Sequence, residues 1–384
     1  MNAVSNRPTI SEKPSYFDVD FEQRPFTVAW EITRACALRC LHCRAEAQTK
    51  RHPDELTTEQ GMRLIDQIAD MKIPVLVLTG GDPMLRKDLF DLVSYATSKG
   101  QYVSLSPSAT KLVTKQALKR LHEAGLKIVH VSLDGLSPET HDAFRGFRGS
   151  YQRTMEIVQD MRQEGIPFQI GTTVSRYNYH ELPKAAEMVS AMGVAVWSVF
   201  FLVCTGRGKA QDIVSAQQHE DAYHLLYDLS LKSKFRVRTT AAPAYRRVVI
   251  QEKRKAMGQT TSGNGGKIAW EQTGAGYAFR EGVAPQERGV NDGDGFCFVD
   301  HLGNVCPSGF LPLPAGNVKN DSLAEIYKNA PLFRQLRDKS LLKGNCGICE
   351  FKQICGGSRG RTYALTGDYL ASEPTCIYQP KWEV

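Results

Sequence analysis

The sequence predicts an α/β fold: a partial (β/α)6 barrel of parallel strands, followed by a small C-terminal module. Three observations carry this. Six short strand-like segments lie between residues 27 and 203, helical patterns lie between them, and nine of the ten cysteines gather near the two ends of the chain. Repeated β-α units imply parallel strands joined by right-handed crossovers. In such sheets ligands sit at the C-terminal ends of the strands.

The strand candidates are Thr27–Ile32, Val75–Thr79, Tyr102–Ser106, Ile128–Leu133, Phe168–Val174 and Ala195–Val203. Each is short, β-branched or aromatic, and bounded by Gly, Pro or polar residues. Between them Thr57–Met71 places Met62, Ile65, Ile68 and Ala69 near helical spacing, with Thr57 or Thr58 as cap. Similar patterns fall at Lys87–Lys99, Thr114–Ala124, Ser150–Glu164 and Pro183–Met192. Beyond Gly206-Arg-Gly208, Gln217–Lys232 reads as a helix. Gln259–Gly276, rich in Gly, Ser and Thr, reads as a loop, lid or disordered linker. The expected division is 1–26 N-terminal extension, 27–205 barrel, 206–294 connecting helices, basic segment and Gly-rich loop, and 295–384 cysteine-bearing module.

No apolar run approaches the ~20 residues that span a bilayer, and the N-terminus lacks the apolar core of a signal peptide. No membrane role and a cytoplasmic location are therefore expected. In that compartment cysteines suit metal ligation better than disulfides. The net charge of +7 is uneven: between Lys232 and Lys255, nine Lys or Arg face one acid, Glu252. Such a segment attracts carboxylates, phosphates or nucleic acid, or is a solvated helix face.

Cys36, Cys40 and Cys43 form a C-x3-C-x2-C run just after the first strand. Three thiolates hold three irons of a 4Fe-4S cubane and leave the fourth open to a ligand. A structural zinc site wants four closed ligands, and no fourth ligand lies at suitable local spacing. Later come Cys346-Gly-Ile-Cys349, Cys355 and Cys376, four thiols that suit a second cubane or a zinc ion.

The cysteine loop after the first strand of a six-fold β/α run resembles the radical S-adenosylmethionine (SAM) superfamily. Thr79-Gly-Gly-Asp-Pro83 stands where that family carries Gly-Gly-Glu-Pro, with Asp82 in place of Glu. The resemblance implies that Gly80, Gly81 and Asp82 meet the methionine end of SAM. It implies that Ser132 and Asp134, from Val131-Ser-Leu-Asp-Gly135, lie near the ribose. Ser106 and Thr173 are similar to SAM-contacting positions, Arg145 to a partner of the SAM carboxylate, and His42 to the aromatic neighbour of adenine. The C-terminal four-cysteine set resembles the twitch/SPASM auxiliary-cluster module. It departs from the seven-cysteine SPASM pattern, since Arg359 stands where another cysteine would be. The expectation is one auxiliary 4Fe-4S cluster, with Cys297 and Cys306 as free thiols or pocket residues.

Trp197-Ser-Val-Phe-Phe-Leu-Val-Cys-Thr-Gly-Arg-Gly208 and the run from Cys355 to Asp368 look like the alternative haem and haem d1 biosynthesis branch. Cys204 replaces an expected Pro. The resemblance implies an enzyme that cleaves SAM reductively to a 5′-deoxyadenosyl radical and abstracts hydrogen from a carboxylate-bearing substrate, a tetrapyrrole propionate first. The implied electron donor is of flavodoxin or ferredoxin type. The alternative is a maturase of a ribosomally made peptide. Only about 26 residues precede the first strand, too few for a fused peptide-recognition domain. A nucleic-acid-binding iron–sulfur protein is the third reading, and it lacks the basic-aromatic interleaving that stacks bases. No general acid or base is identifiable.

Overall fold

The structure is a computed structural model that describes residues 19–256, 258, 270–272, 277–279 and 288–380. The barrel part runs β1 (Thr27–Glu31), α1 (Thr58–Asp70), β2 (Val75–Thr79), α2 (Leu89–Ser98), β3 (Tyr102–Leu105), α3 (Lys115–Glu123), β4 (Ile128–Ser132), α4 (Pro138–Arg145), α5 (Ser150–Gln163), β5 (Phe168–Val174), α6 (Leu182–Ala191) and β6 (Val196–Phe201). Then come α7 (Ala216–Lys232), β7 (Arg236–Thr240), α8 (Ala244–Ala256), β8 (Trp270–Gln272), β9 (Tyr277–Phe279), β10 (Phe296–Val299), β11 (Asn304–Cys306) and β12 (Gly316–Asn317). The chain closes with α9 (Leu323–Asn329), α10 (Pro331–Arg337), α11 (Gly344–Ile348) and α12 (Arg359–Thr366).

The strands make one sheet in the order β12-β11-β10-β1-β2-β3-β4-β5-β6-β7-β9-β8. Every pairing from β10 through β7 is parallel. The two outer ends are antiparallel. The expected partial barrel is present and gains one parallel strand on each side. β10, from the cysteine-bearing C-terminal stretch, pairs with β1 by setting Cys297 opposite Val28. That stretch therefore shares the sheet instead of hanging from it. Gln259–Gly276, read from sequence as a loop, lid or linker, lies outside the described residues apart from β8. The N-terminal extension is described only from residue 19.

β1 is buried along its whole length, as expected of a parallel strand covered on both faces. Helix α1 starts at Thr57, whose hydroxyl accepts from the Gln60 amide while the Gln60 side chain accepts from the Thr57 amide, a capping box. Its buried stripe of Leu64, Ile65 and Ile68 faces the sheet. A Cβ on Gly61 would stand 2.5 Å from the Trp30 ring, so only glycine lets α1 close on β1. No described helix is long and apolar enough to cross a membrane.

The basic segment is only partly solvated: Lys232, Lys234 and Lys255 are exposed, while several of its arginines are not. Arg246, Arg247 and Arg254 of α8 are buried. Arg247 pairs with Glu220 at 2.5 Å, and Arg246 donates to the carbonyls of Ile354 and Val290 at 2.6 Å each. Arg246 and Arg247 join α8 to the C-terminal stretch and to α7, which periodicity in a charged run does not reveal.

Candidate functional site

The C-terminal ends of the parallel strands surround a cavity of about 340 Å³. Cys36, Cys40 and Cys43 line it, together with His42, Gly80, Gly81, Ser106, Ser132, Arg145 and Thr173. Asp82 and Asp134 do not line it; both are buried behind the wall.

The cysteine loop is held from three sides. The Gly81 amide donates to the Thr33 carbonyl at 2.8 Å and the Asp82 amide to the Ala35 carbonyl at 2.6 Å. Glu55 accepts from the Thr33 hydroxyl and the Arg34 amide. A Cβ on Gly81 would sit 2.3 Å from the Ala35 carbonyl oxygen, so the two loops meet backbone to backbone. The Asp82 carboxylate accepts from the Met84 and Ser108 amides and from the Thr110 hydroxyl at 2.8 Å. Ser108 in turn donates to the Gly81 carbonyl, and its hydroxyl lies 3.3 Å from Cys36 Sγ. Asp82 thus organises the turn that supports Cys36. From the far side, Arg207 donates to the carbonyls of Cys40 (2.9 Å) and Ala47 (3.2 Å), and its amide donates to the Cys43 carbonyl.

Asp134 is the hub of a second cluster. It accepts from the Thr173 amide at 2.7 Å and from Arg145 at 3.1 Å, with His42 Nε2 3.9 Å away. Burial opposes its charge, but the Arg145 guanidinium and the Thr173 amide beside it hold its pKa below the usual value. Burial opposes the Arg145 charge as well; Cys40, Asp134 and Cys36 around it outweigh that. His42 stacks on Phe144 with ring centroids 4.3 Å apart, and burial holds its pKa down near 4. A neutral imidazole with an apolar face therefore borders the cavity.

Sequence reading missed other lining residues. Arg44, directly after Cys43, lines the cavity; it donates to Glu31 at 2.9 Å and lies over the Phe298 ring, 4.4 Å from its centroid. His301 packs against the same Glu31 at 2.9 Å. Burial opposes the charge of Glu31, and Arg44, His301 and Arg34 outweigh it, so the group stays ionised. Arg238 on β7 also lines the cavity and donates to Ser198; burial brings its pKa down to about 10. Beside it Gln169 Nε2 lies 3.0 Å from His130 Nδ1. Phe200, Phe298 and Phe310 complete a wall that is aromatic and cationic together. The available signal was a lone Glu ending an apolar strand and the Arg-Val-Arg alternation of β7.

Cys346, Cys349, Cys355 and Cys376 lie away from this cavity's lining, close enough to raise one another's pKa: burial first, then Glu350 beside Cys349 and the neighbouring thiols, push Cys349 and Cys355 up to about 12. Burial likewise pushes Cys40 up to about 11, with Cys43 and Cys36 adding to it. Such thiols become thiolates when a metal centre supplies the positive charge. Among the described residues no three Cys, His, Asp or Glu groups are disposed to hold a single metal ion. A cubane suits wider thiols, because each sulfur bonds a different iron. Cys297 and Cys306 are buried on β10 and β11 and do not line the cavity. Cys204 is half-buried between the cavity-lining Val203 and the turn that carries Arg207. His301 is buried on Glu31, and Tyr369 bonds Gln335.

The family described as the Radical SAM superfamily matches residues 30–189. The AdoMet-dependent heme synthase of Methanosarcina barkeri is 40% identical over 93% of this chain and 97% of that protein. The pre-heme d1 synthase of Dinoroseobacter shibae is 30% identical over 91% of this chain and 85% of its own length. Among solved structures, Streptococcus suis SuiB superposes with a TM-score of 0.68 over 93% of this chain and 78% of that one, at 15% identity. The anSMEcpe structure with bound AdoMet gives 0.64 over 91% and 93%, also at 15% identity, a likeness of fold. The partial barrel, the cysteine loop at its mouth and these likenesses agree: the chain is a radical SAM enzyme, a member of the superfamily that pairs S-adenosylmethionine with a 4Fe-4S cluster.

Proposed function

We propose that this enzyme oxidatively decarboxylates propionate side chains of a tetrapyrrole, as a haem synthase. The observation that carries the reading is one cavity lined by the cysteine loop together with Arg44, Arg238, Phe200, Phe298 and Phe310. A flat apolar macrocycle with carboxylates needs aromatic faces and cations together. The 40% identity to a heme synthase along nearly the whole chain supports the same reading.

In this reading Cys36, Cys40 and Cys43 hold the SAM cluster, whose open iron and bound SAM supply a hydrogen-abstracting 5′-deoxyadenosyl radical. Gly80 and Gly81 offer a backbone surface to the methionine end. Ser106, Ser132 and Thr173 line the nucleoside side, and His42 offers its neutral ring to the adenine. Arg145 faces the SAM carboxylate. Asp82 and Asp134 act from behind, by fixing Ser108 and Arg145. Arg44 and Arg238 orient substrate carboxylates; the barrel wall keeps water from the reacting carbon. Cys346, Cys349, Cys355 and Cys376 hold one auxiliary 4Fe-4S cluster. Loss of hydrogen from the propionate carbon next to the ring, followed by departure of CO2 and one electron, leaves a vinyl group. A cluster held by those four cysteines would accept that electron, and a flavodoxin or ferredoxin-type protein would supply the electron for SAM cleavage. The reaction belongs in the cytoplasm, where that donor resides.

The test is anaerobic incubation with SAM, reductant and propionate-bearing iron porphyrins. The expected product has lost one CO2 and two hydrogens per propionate. Release of 5′-deoxyadenosine with an unchanged porphyrin mass contradicts the reading.

A further inference from the structure

Arg359 opens α12, and its side chain is 1% exposed. Its guanidinium is fixed by backbone carbonyls: Nη1 donates to Tyr369 (2.9 Å) and Ala371 (2.8 Å), and Nε to Gly357 (3.3 Å). Nη2 points to Cys346 Sγ at 3.6 Å, and the Glu373 amide donates to the same sulfur at 3.3 Å. Among the described residues Arg359 forms no ion pair; its charge is felt by the Asp368 carboxylate, but that group pairs with Lys343 at 2.6 Å. The nearby carboxylate of Glu373 pairs with Arg361 instead, at 3.5 Å.

A guanidinium stays charged in proteins. Burying it without an opposite charge is costly, and neutral carbonyls do not cancel the charge. Four thiolates around a cubane core leave the whole centre anionic, and the free terminal nitrogen of Arg359 points at one of those sulfurs. A cation beside the centre favours the state with one more electron, and hydrogen bonds to the sulfurs act in the same direction.

We propose that Arg359 is the counter-ion of the auxiliary centre and raises its reduction potential through Cys346, which fits the centre to accept the electron released with CO2. This rests on the reading of Cys346, Cys349, Cys355 and Cys376 as cluster ligands. The electron count closes: the substrate radical loses CO2 and one electron, a carbon–carbon double bond forms, and the oxidised centre is reduced by one electron. Arg359 touches neither substrate nor SAM in this scheme; it is a positioning and tuning residue. The position that a seven-cysteine module would give to a further ligand is here given to a charge.

The experiment is a potentiometric titration followed by electron paramagnetic resonance on the full chain. Replacing Cys36, Cys40 and Cys43 by Ala leaves only the auxiliary signal. In this background Arg359→Gln moves the midpoint to a more negative potential, and Arg359→Lys, which keeps the charge, moves it less. A loaded Arg359→Gln centre with an unmoved midpoint overturns the proposal and leaves the cluster assignment standing. If Arg359→Gln holds no iron, a loaded Arg359→Lys supports the counter-charge role, and an equally empty Arg359→Lys overturns it in favour of shape. Absence of iron and sulfide in the parent background removes the cluster assignment itself, and the proposal with it.

Discussion

Arg207, in the turn after β6, donates through Nε to the carbonyl of Cys40 at 2.9 Å, across 167 residues of sequence. A second donor of the same guanidinium reaches Ala47, so both ends of the cysteine turn hang on one side chain. Gly206, with φ of 63°, brings the turn in: a Cβ there would stand 2.4 Å from the Arg44 carbonyl oxygen. The cluster loop is therefore braced by the last strand of the six-fold repeat, and not only by its own neighbours.

Arg207→Lys keeps the charge but loses the fork that serves two carbonyls. The expected result is a loss of about 1.5–3 kcal/mol of local stability and lower iron occupancy at the SAM cluster. Iron content and 5′-deoxyadenosine formation check it; an unchanged cluster in Arg207→Lys means that the brace is unnecessary.

Gly81→Ala places a methyl group against the Ala35 backbone, which has no flexible end to yield. The two loops must separate, and weak cluster binding with weak SAM affinity is expected. SAM affinity by calorimetry decides this, and wild-type affinity in Gly81→Ala would falsify the close-approach argument.

Asp82→Ala leaves the buried Ser108 amide and Thr110 hydroxyl without their acceptor, at about 1–3 kcal/mol for each unsatisfied group. Asp82→Asn keeps the oxygen that accepts from Met84 and Ser108 and is expected to be milder. Urea midpoints of the two variants should fall in that order. Equal midpoints contradict a supporting role.

Acid sensitivity follows from the buried histidines. Burial holds His141 near pKa 4 and His219 near 3, against about 6.5 when unfolded. Below pH 6.5 the unfolded chain takes up protons that the folded chain refuses. Each ring then costs up to about 1.4 kcal/mol per pH unit until its folded pKa is reached. Above pH 7 neither ring contributes. Stability should fall between pH 7 and 5, before low-pKa carboxylates such as Glu31 titrate. His219→Phe, stacked on Phe201 like the native ring, should flatten the slope.

Much of the barrel was legible. Five of its six strands begin at the residue that alternation and β-branching indicate, because buried parallel strands are short apolar runs between clear punctuation. The spacing of the cysteines marks two candidate ligand sets, and the structure places Cys36, Cys40 and Cys43 together on the cavity lining. β7 was not, since Arg236 and Arg238 make a strand look like a charged loop. Nor was the role of β10 beside β1, which depends on a pairing across most of the chain. Motif reading put Asp82 and Asp134 near the ligand; in the structure their carboxylates accept from backbone amides and Arg145 behind the cavity lining, which only three-dimensional hydrogen bonding reveals. Arg44 escaped notice because its partner Glu31 and its stacking ring Phe298 lie in separate parts of the sequence.

The measurement that tests the account most directly uses a porphyrin deuterated at the propionate carbon next to the ring. The account predicts one deuterium in the 5′-deoxyadenosine for each CO2 released and each vinyl group formed. Unlabelled 5′-deoxyadenosine, or label transfer without CO2, contradicts hydrogen abstraction from the propionate as the reaction of this enzyme.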